Sequence, residues 1–431
     1  MEYRKMNIKE GVNLHTIKTE KFKTNLLAVY LSSPLTKKEV TQKALSMAII
    51  RRGTENLKTQ EDINCKLEEL YGAELNSGMD KVGNDEVLKF YIESLNDNFT
   101  LKNEDVLKKS IELLFDVIFN PLTENGRFKD EYFENEKSNL KQIIEAKKDN
   151  KAQYATARTL EEMYGKDGYG LYTYGYIEDL EKLSNQEVYN SYKEMLANCK
   201  IDIFVSGDIN ESECVKLVDT EIENFKIDSR NVSDLYLKNE VKNVTETKEV
   251  IEKMDVTQGK LVIGLDITNT IKDERPQTAV YNAILGGGAN SKLFQNVREK
   301  ASLAYSAGSL YIKNKNNIII KSGIEPKNYE KALNIIKEQL EDMKNGKFDE
   351  KDMQNAKKII IASYEAINDE QDSSIKKLYR CSNNEEEISF VCSKICELIS
   401  VIFFPWIFLE NCWIMVIWKS RNTLINPESV K

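Results

Sequence analysis

The chain passes twice through one order of elements, and that duplication limits its fold more than its composition does. In the first pass TNLLAVYLSS, residues 24–33, is rich in branched apolar side chains and predicts a strand. TKKEVTQKALSMAII follows with Val40, Ala44, Met47, Ala48 and Ile50 at helical spacing, closed by Arg51, Arg52 and Gly53. TQEDINCKLEELYGA predicts a second helix, with Thr59 as N-cap, Asp62 in the first turn and Gly72 at the end. A strand, DEVLKFYIESL, and long helices lead on to IDIFVSGD, residues 201–208, a near-continuous apolar run that reads as an inner strand.

The second pass keeps the order. KLVIGLDI is a strand, ERPQTAVYNAILGGG a helix ending in glycines, NSKLFQNVREK a short helix. LAYSAGSLYIKNKNNIIIKSGI is a strand, a turn and a strand, and two long helices follow. Such a repeat is the mark of a duplicated α+β unit. It divides the chain into a domain over 1–228, a polar linker over 229–249, a second domain over 250–380 and a tail over 381–431.

Charge and residue counts remove several functions. A net charge of −9 argues against nucleic acid or an anionic membrane as the main partner, since both need a basic face. The start, MEYRKMNIKEG, lacks the apolar stretch of a secretory signal. The seven cysteines include no C-x-x-C pair and read as buried free thiols of a cytoplasmic protein. The single histidine, His15, excludes any mechanism that needs two on one chain. His15 lies in a strand-like stretch, NLHTI, and reads as structural. Acidic side chains such as Glu136, Glu145, Glu161 and Glu162 read as solvated helix faces rather than an acid–base pair.

The tail departs from the repeat. It holds all three tryptophans and four of the seven cysteines, Cys381, Cys392, Cys396 and Cys412. ISVIFFPWIFLENCWIMVIW, residues 399–418, is about long enough to span a bilayer, although Pro405, Glu410 and Asn411 interrupt it. A shifted reading frame is the first reading, a membrane anchor the second and a buried apolar segment the third.

Several stretches resemble the insulinase/pitrilysin zinc peptidases, above all the bacterial branch whose members work as paired subunits. They are RRGTENLKTQEDINCKLEELYGAELNSG, FENEKSNLKQIIEAKKDN, IDIFVSGD and ILGGGANSKLFQNVREKASLAYSAGS. The resemblance covers about residues 10–380 and implies two homologous α+β domains, each a mostly antiparallel sheet packed by helices on one side. Active members carry H-x-x-E-H on the helix before the GT turn. Two histidines at i and i+4 share a helix face and bind Zn²⁺, and the glutamate takes a proton from the bound water. Counting back from Gly53, these positions are Ala44, Met47 and Ala48 here. The third ligand, a glutamate seven residues after another, falls on Ile143, with Glu136 as the upstream residue. Base and ligands are missing together, so the resemblance implies a non-catalytic member without a zinc cofactor.

The second half keeps what the first has lost. The family's R-x6-Y pattern, held to bind the substrate carbonyl and stabilise its oxyanion, matches Arg298 and Tyr305. Gly286, Gly287 and Gly288 do not fit a phosphate loop. They suit a helix end packed close to a neighbouring backbone, which in the family lies beside bound substrate. The expected function is an inactive subunit that pairs with a zinc-bearing homologue as a heterodimer and lends Arg298 and Tyr305 to an unfolded peptide. The alternative is a non-proteolytic scaffold or peptide-binding protein.

Overall fold

A computed structural model describes residues 1–101, 104–165, 168–230, 232, 247–267, 275–381 and 409–418. Most of the linker over 229–249 and most of the tail lie outside the described residues. Two compact units are present. One takes in the described residues of Met1–Ala146, Lys166–Asn239 and Ile367–Glu385. The other takes in those of Lys147–Gly165, Glu240–Ala366 and Glu386–Lys431. Each unit therefore includes a helix from the opposite half of the sequence.

The first half opens with three strands, β1 (Glu2–Lys9), β2 (Val12–Lys18) and β3 (Thr24–Pro34). Two helices, α1 (Val40–Ile50) and α2 (Gln60–Glu69), lead to the hairpin of β4 (Glu74–Val82) and β5 (Asp85–Leu95). Next come α3 (Val106–Phe119), a small hairpin of β6 (Thr123–Glu124) and β7 (Arg127–Phe128), and α4 (Asp130–Glu145). Helices α5 (Lys151–Tyr164), α6 (Ile177–Leu180) and α7 (Asn185–Asn198) precede β8 (Lys200–Gly207) and α8 (Glu211–Asn224). Helix α2 starts on the expected capping box: the Asp62 amide donates to the Thr59 hydroxyl (3.0 Å), and the Thr59 amide donates to the Asp62 carboxylate (2.9 Å).

The first sheet has the order β1-β2-β8-β3-β5-β4. All pairings are antiparallel except β2 with β8. As the apolar run of residues 201–208 suggests, β8 is an inner strand. Alternation along β3 sends Leu27, Val29 and Leu31 into the main core, shared with α1, α3, α4, α7 and α8. The intervening Leu26, Ala28 and Tyr30 face the other way and share a second core with Ile375, Leu378 and Tyr379. Those three lie on α12 (Gln371–Cys381), so the helices are not confined to one side of the sheet. Tyr379 meets Tyr30 edge-to-face at 5.0 Å and shares a 2.7 Å hydrogen bond with Ser32.

The second half begins with β9 (Lys248–Lys253), β10 (Gly259–Ile267) and α9 (Arg275–Gly286). A π-helical segment, Phe294–Lys300, stands where a short α-helix was expected. Strands β11 (Ala304–Ile312) and β12 (Asn317–Ile324) and helices α10 (Tyr329–Lys344) and α11 (Glu350–Ile367) complete the repeat before α12. In the tail, Leu409–Trp418 forms β13. The second sheet runs β11-β12-β10-β13-β9, which reproduces β4-β5-β3-β8-β2 of the first. Like β8, β13 is antiparallel to one neighbour, β10, and parallel to the other, β9. Half of the candidate anchor is thus an inner strand of a sheet. Residues 399–408 lie outside the described residues, and among those described no helix is long and apolar enough to cross a membrane.

Helix α5 packs on β10 and β13, where Gly264 leaves room for the Met163 thioether. Arg158 and Tyr154 of α5 each bond Glu252 of β9 at 2.8 Å. Arg158 also pairs with Glu161 and Glu162, which are partly buried rather than solvated. Cys199 and Cys214 are buried free thiols, and burial pushes them up to about 11 and about 12. Cys65 departs from the expectation: it is exposed on α2, because its side of that helix faces solvent.

His15 is structural. It is fully buried in β2 and stacks on Phe204 with ring centres 4.3 Å apart. Its Nε2 lies 3.1 Å from Asp202 and its Nδ1 2.8 Å from the Tyr3 hydroxyl, which suits a neutral ring protonated at Nε2. Burial holds the imidazole below its ordinary value of 6.5. Burial alone would raise the Asp202 carboxyl, but the His15 hydrogen bond and the Lys200 charge outweigh it and hold the group well below the usual range. The unfolded chain therefore takes up a proton near pH 6.5 that the folded chain refuses. Stability held above that pH is lost as the pH falls, by up to about 1.4 kcal/mol per pH unit. Urea unfolding at pH 7.5 and 5.5 should show a larger loss for the wild type than for His15→Gln. Equal losses would contradict this account.

Candidate functional site

Helix α1 is packed nearly all round, against α4, α6 and α7. Its end is set by the turn that follows. A side chain at Gly53 would strike the Lys58 carbonyl, so glycine is required there. Thr54 then accepts the amides of Asn56 and Leu57 and donates to buried Asp116, which also takes Asn56 and Asn120. With the turn locked, one face of α1 is held at a fixed angle to α4.

Between these two helices lies a cavity of about 290 Å³. It is lined by all four positions named from the sequence, Ala44, Met47, Ala48 and Ile143, together with Leu140, Glu136, Arg51, Arg52, Gln60, Ser77, Gly78 and Tyr174. Ala44 and Met47 are buried, Ala48 is half-buried, and Ile143 is 45% exposed. The side chains of α1 here are therefore not all core, as the apolar stripe alone suggests. Glu136 is not on a solvated face either. It is 6% exposed and bound by the Arg52 guanidinium, with Asn139 donating to the same oxygen at 3.1 Å. Arg52 also donates to Gln60 at 2.6 Å. A second, polar cavity of about 380 Å³ shares Arg52 and Gln60 and continues along α4 past Tyr132, Asn135, Ser138 and Asn139. Arg51 and Arg52 read from sequence only as a basic helix end; the family spacing around Gly53 was the available signal that they border a site.

The second unit carries Arg298 and Tyr305 on unusual backbone. Arg298 sits in the π-helical segment, its guanidinium 4.5 Å from the Phe294 ring and 3.4 Å from Glu299. Ser302 follows in the left-handed region at φ 53°. The β11–β12 register then shifts between Ala304 and Ser306, which puts Tyr305 in a bulge on an edge strand, 64% exposed. A π-turn, a left-handed serine and a bulge within a dozen residues are each disfavoured locally, and such features gather at functional sites. The three glycines end α9 against β11. A Cβ on Gly286 would lie 2.8 Å from the Gly308 carbonyl carbon and nearer still to Ser309, while Gly287 and Gly288 are crowded by Ala283 and Ile359.

Over 351 residues the chain is 36% identical to a "Probable inactive metalloprotease YmfF" of Bacillus subtilis, spanning 81% of this chain and 82% of that protein. The chain belongs to the M16 peptidases, the insulinase family. Residues 182–360 match the family described as "Peptidase M16 inactive domain". A conserved protein from Enterococcus faecalis has the same architecture, with a TM-score of 0.86 at 27% identity over 98% of this chain and 100% of that one. A peptidase M16 inactive domain from Pseudomonas fluorescens aligns over 98% and 99% with a TM-score of 0.77; at 15% identity it attests the fold alone.

The zinc of active M16 peptidases does not fit this donor set. Two methyl groups, a thioether and a branched hydrocarbon occupy the cavity wall, and no group of three His, Cys, Asp or Glu among the described residues is placed to hold a metal. The chain is an inactive M16 member.

Two outcomes follow from this geometry. Arg52→Met should leave Glu136 buried without its cation and destabilise the chain by about 2–3 kcal/mol, and adding Glu136→Leu should recover most of that loss. A urea double-mutant cycle measures the coupling; independent effects would show that the pair is not coupled. Restoring Ala44→His, Met47→Glu, Ala48→His and Ile143→Glu together should create one tight zinc site by equilibrium dialysis. A folded variant that takes up no zinc would mean that these four positions do not converge as assigned.

Proposed function

We propose that this chain is the non-catalytic partner of a zinc-bearing M16 homologue, to whose active site it lends Arg298 and Tyr305. One observation carries the reading: the metal side is refilled with apolar groups while the R-x6-Y pair is kept, Arg298 half-buried and Tyr305 exposed, on backbone that costs stability. A fold retained only for packing has no use for an exposed tyrosine in a bulge. The guanidinium would hold the carbonyl of an extended, unfolded peptide, and the phenol would donate to the oxyanion as it forms. Among the described residues the carboxylate paired with Arg298 is that of its exposed neighbour Glu299 at 3.4 Å, a weak surface contact that substrate can displace. The buried thiols of Cys199 and Cys214 support a reducing, cytoplasmic setting.

The heterodimer, assembled from this chain and a homologue with an intact zinc helix, provides the test. Arg298→Ala should lower kcat/KM for peptide cleavage about 10²–10³-fold with zinc content and assembly unchanged, and Tyr305→Phe should lower kcat more than it raises KM. Full activity with both substitutions would favour the scaffold reading instead.

A further inference from the structure

The cavity on α1 holds a cation that has no ion-paired carboxylate of its own. Arg52 is neutralised by Glu136. Arg51 makes no such pair, although Glu136 is near enough to favour its charge: its Nη1 donates to Ser77 at 3.1 Å, while its Nε is buried and has no hydrogen-bond partner. No carboxylate among the described residues pairs with it. The guanidinium thus lies beside an apolar wall with part of its donor fork unused.

We propose that this cavity binds the C-terminal end of a peptide whose last side chain is apolar. Its carboxylate would accept from the Arg51 guanidinium at the edge left free by Ser77, and the side chain would lie against Met47, Ala48 and Ile143. Four features point to that ligand. A volume of about 290 Å³ is at the small end for ligand pockets and suits one terminal residue. The demand is for a single negative charge, which a carboxylate meets through a charge-assisted hydrogen bond from the guanidinium. A phosphate would set a second charge against the hydrocarbon wall. The adjoining polar cavity, lined by Gln60, Asn135, Ser138 and Asn139, offers amide and hydroxyl groups to the peptide backbone behind the terminus. Burial also works against the Arg51 charge, so an anion there relieves a cost that is already present.

Fluorescence anisotropy on the full chain, with no partner and no zinc, tests this. The probes are short dye-labelled peptides ending in Ala-Leu, either as the free acid or as the amide. The free acid should bind about tenfold tighter or better. Arg51→Gln should remove the preference while leaving the weak binding of the amide. Ile143→Trp, at an exposed position and therefore tolerated by the fold, should block both probes. If Arg51→Gln fails to fold by circular dichroism, the wild-type comparison and Ile143→Trp decide the matter alone. Equal binding of acid and amide, or a preference that survives Arg51→Gln, overturns the proposal. So does isocaproate competing as well as the peptide, which would make the ligand a free small acid. So does an amidated peptide with an internal aspartate matching the free acid. Because the assay needs neither cleavage nor a second subunit, its failure is distinguishable from failure of the pairing reading.

Discussion

The first unit depends on the burial of β3 on both faces. Leu27, Val29 and Leu31 enter one core, and Leu26, Ala28 and Tyr30 enter another. A strand with two apolar faces is stable only when both are covered. The helices that follow β3 in sequence cover one face. The other is covered by α12, more than three hundred residues further on, through Ile375, Leu378 and the Tyr30–Tyr379 contact. The second sheet solves the same problem with α5, which sequence order places in the first half. Neither unit is a contiguous piece of chain.

That scaffold explains how a peptidase fold can lose its metal centre and persist. The positions where the family resemblance implies zinc ligands lie on α1 and α4, and these helices are held by other contacts: the Gly53–Thr54 turn locked by Asp116, and the bond from Arg52 to Glu136. Small and apolar side chains at Ala44, Met47 and Ala48 avoid burying several like-charged or polar donors without a cation to compensate them. The structure keeps a cavity there rather than closing it, and it keeps a strained arginine–tyrosine segment in the other unit.

Much of the fold was legible from residue patterns. The period of β3, the capping box at Thr59 and Asp62, the inner strand over residues 201–208 and the duplicated order all rest on local chemistry. So do the glycines at the end of α9, where a side chain has no room. Other features were not legible. Glu136 looks like an ordinary helix glutamate and is instead buried under Arg52. No residue type announces the π-helix under Arg298 or the bulge at Tyr305. The apolar segment at Leu409–Trp418 suggests a membrane as readily as a sheet until its pairing with β10 and β9 is seen.

The sequence by itself determined most of the helices and strands of the repeat, the family and the near-absence of imidazole, because each is written in residue identity and spacing. Only the tertiary structure decided which helix covers which sheet, that β13 takes the place of β8, and that Arg51 borders a cavity whose one lining carboxylate, Glu136, is bonded to Arg52. Those outcomes depend on contacts between residues far apart in the chain, where geometry rather than composition sets which groups are paired and which are left open.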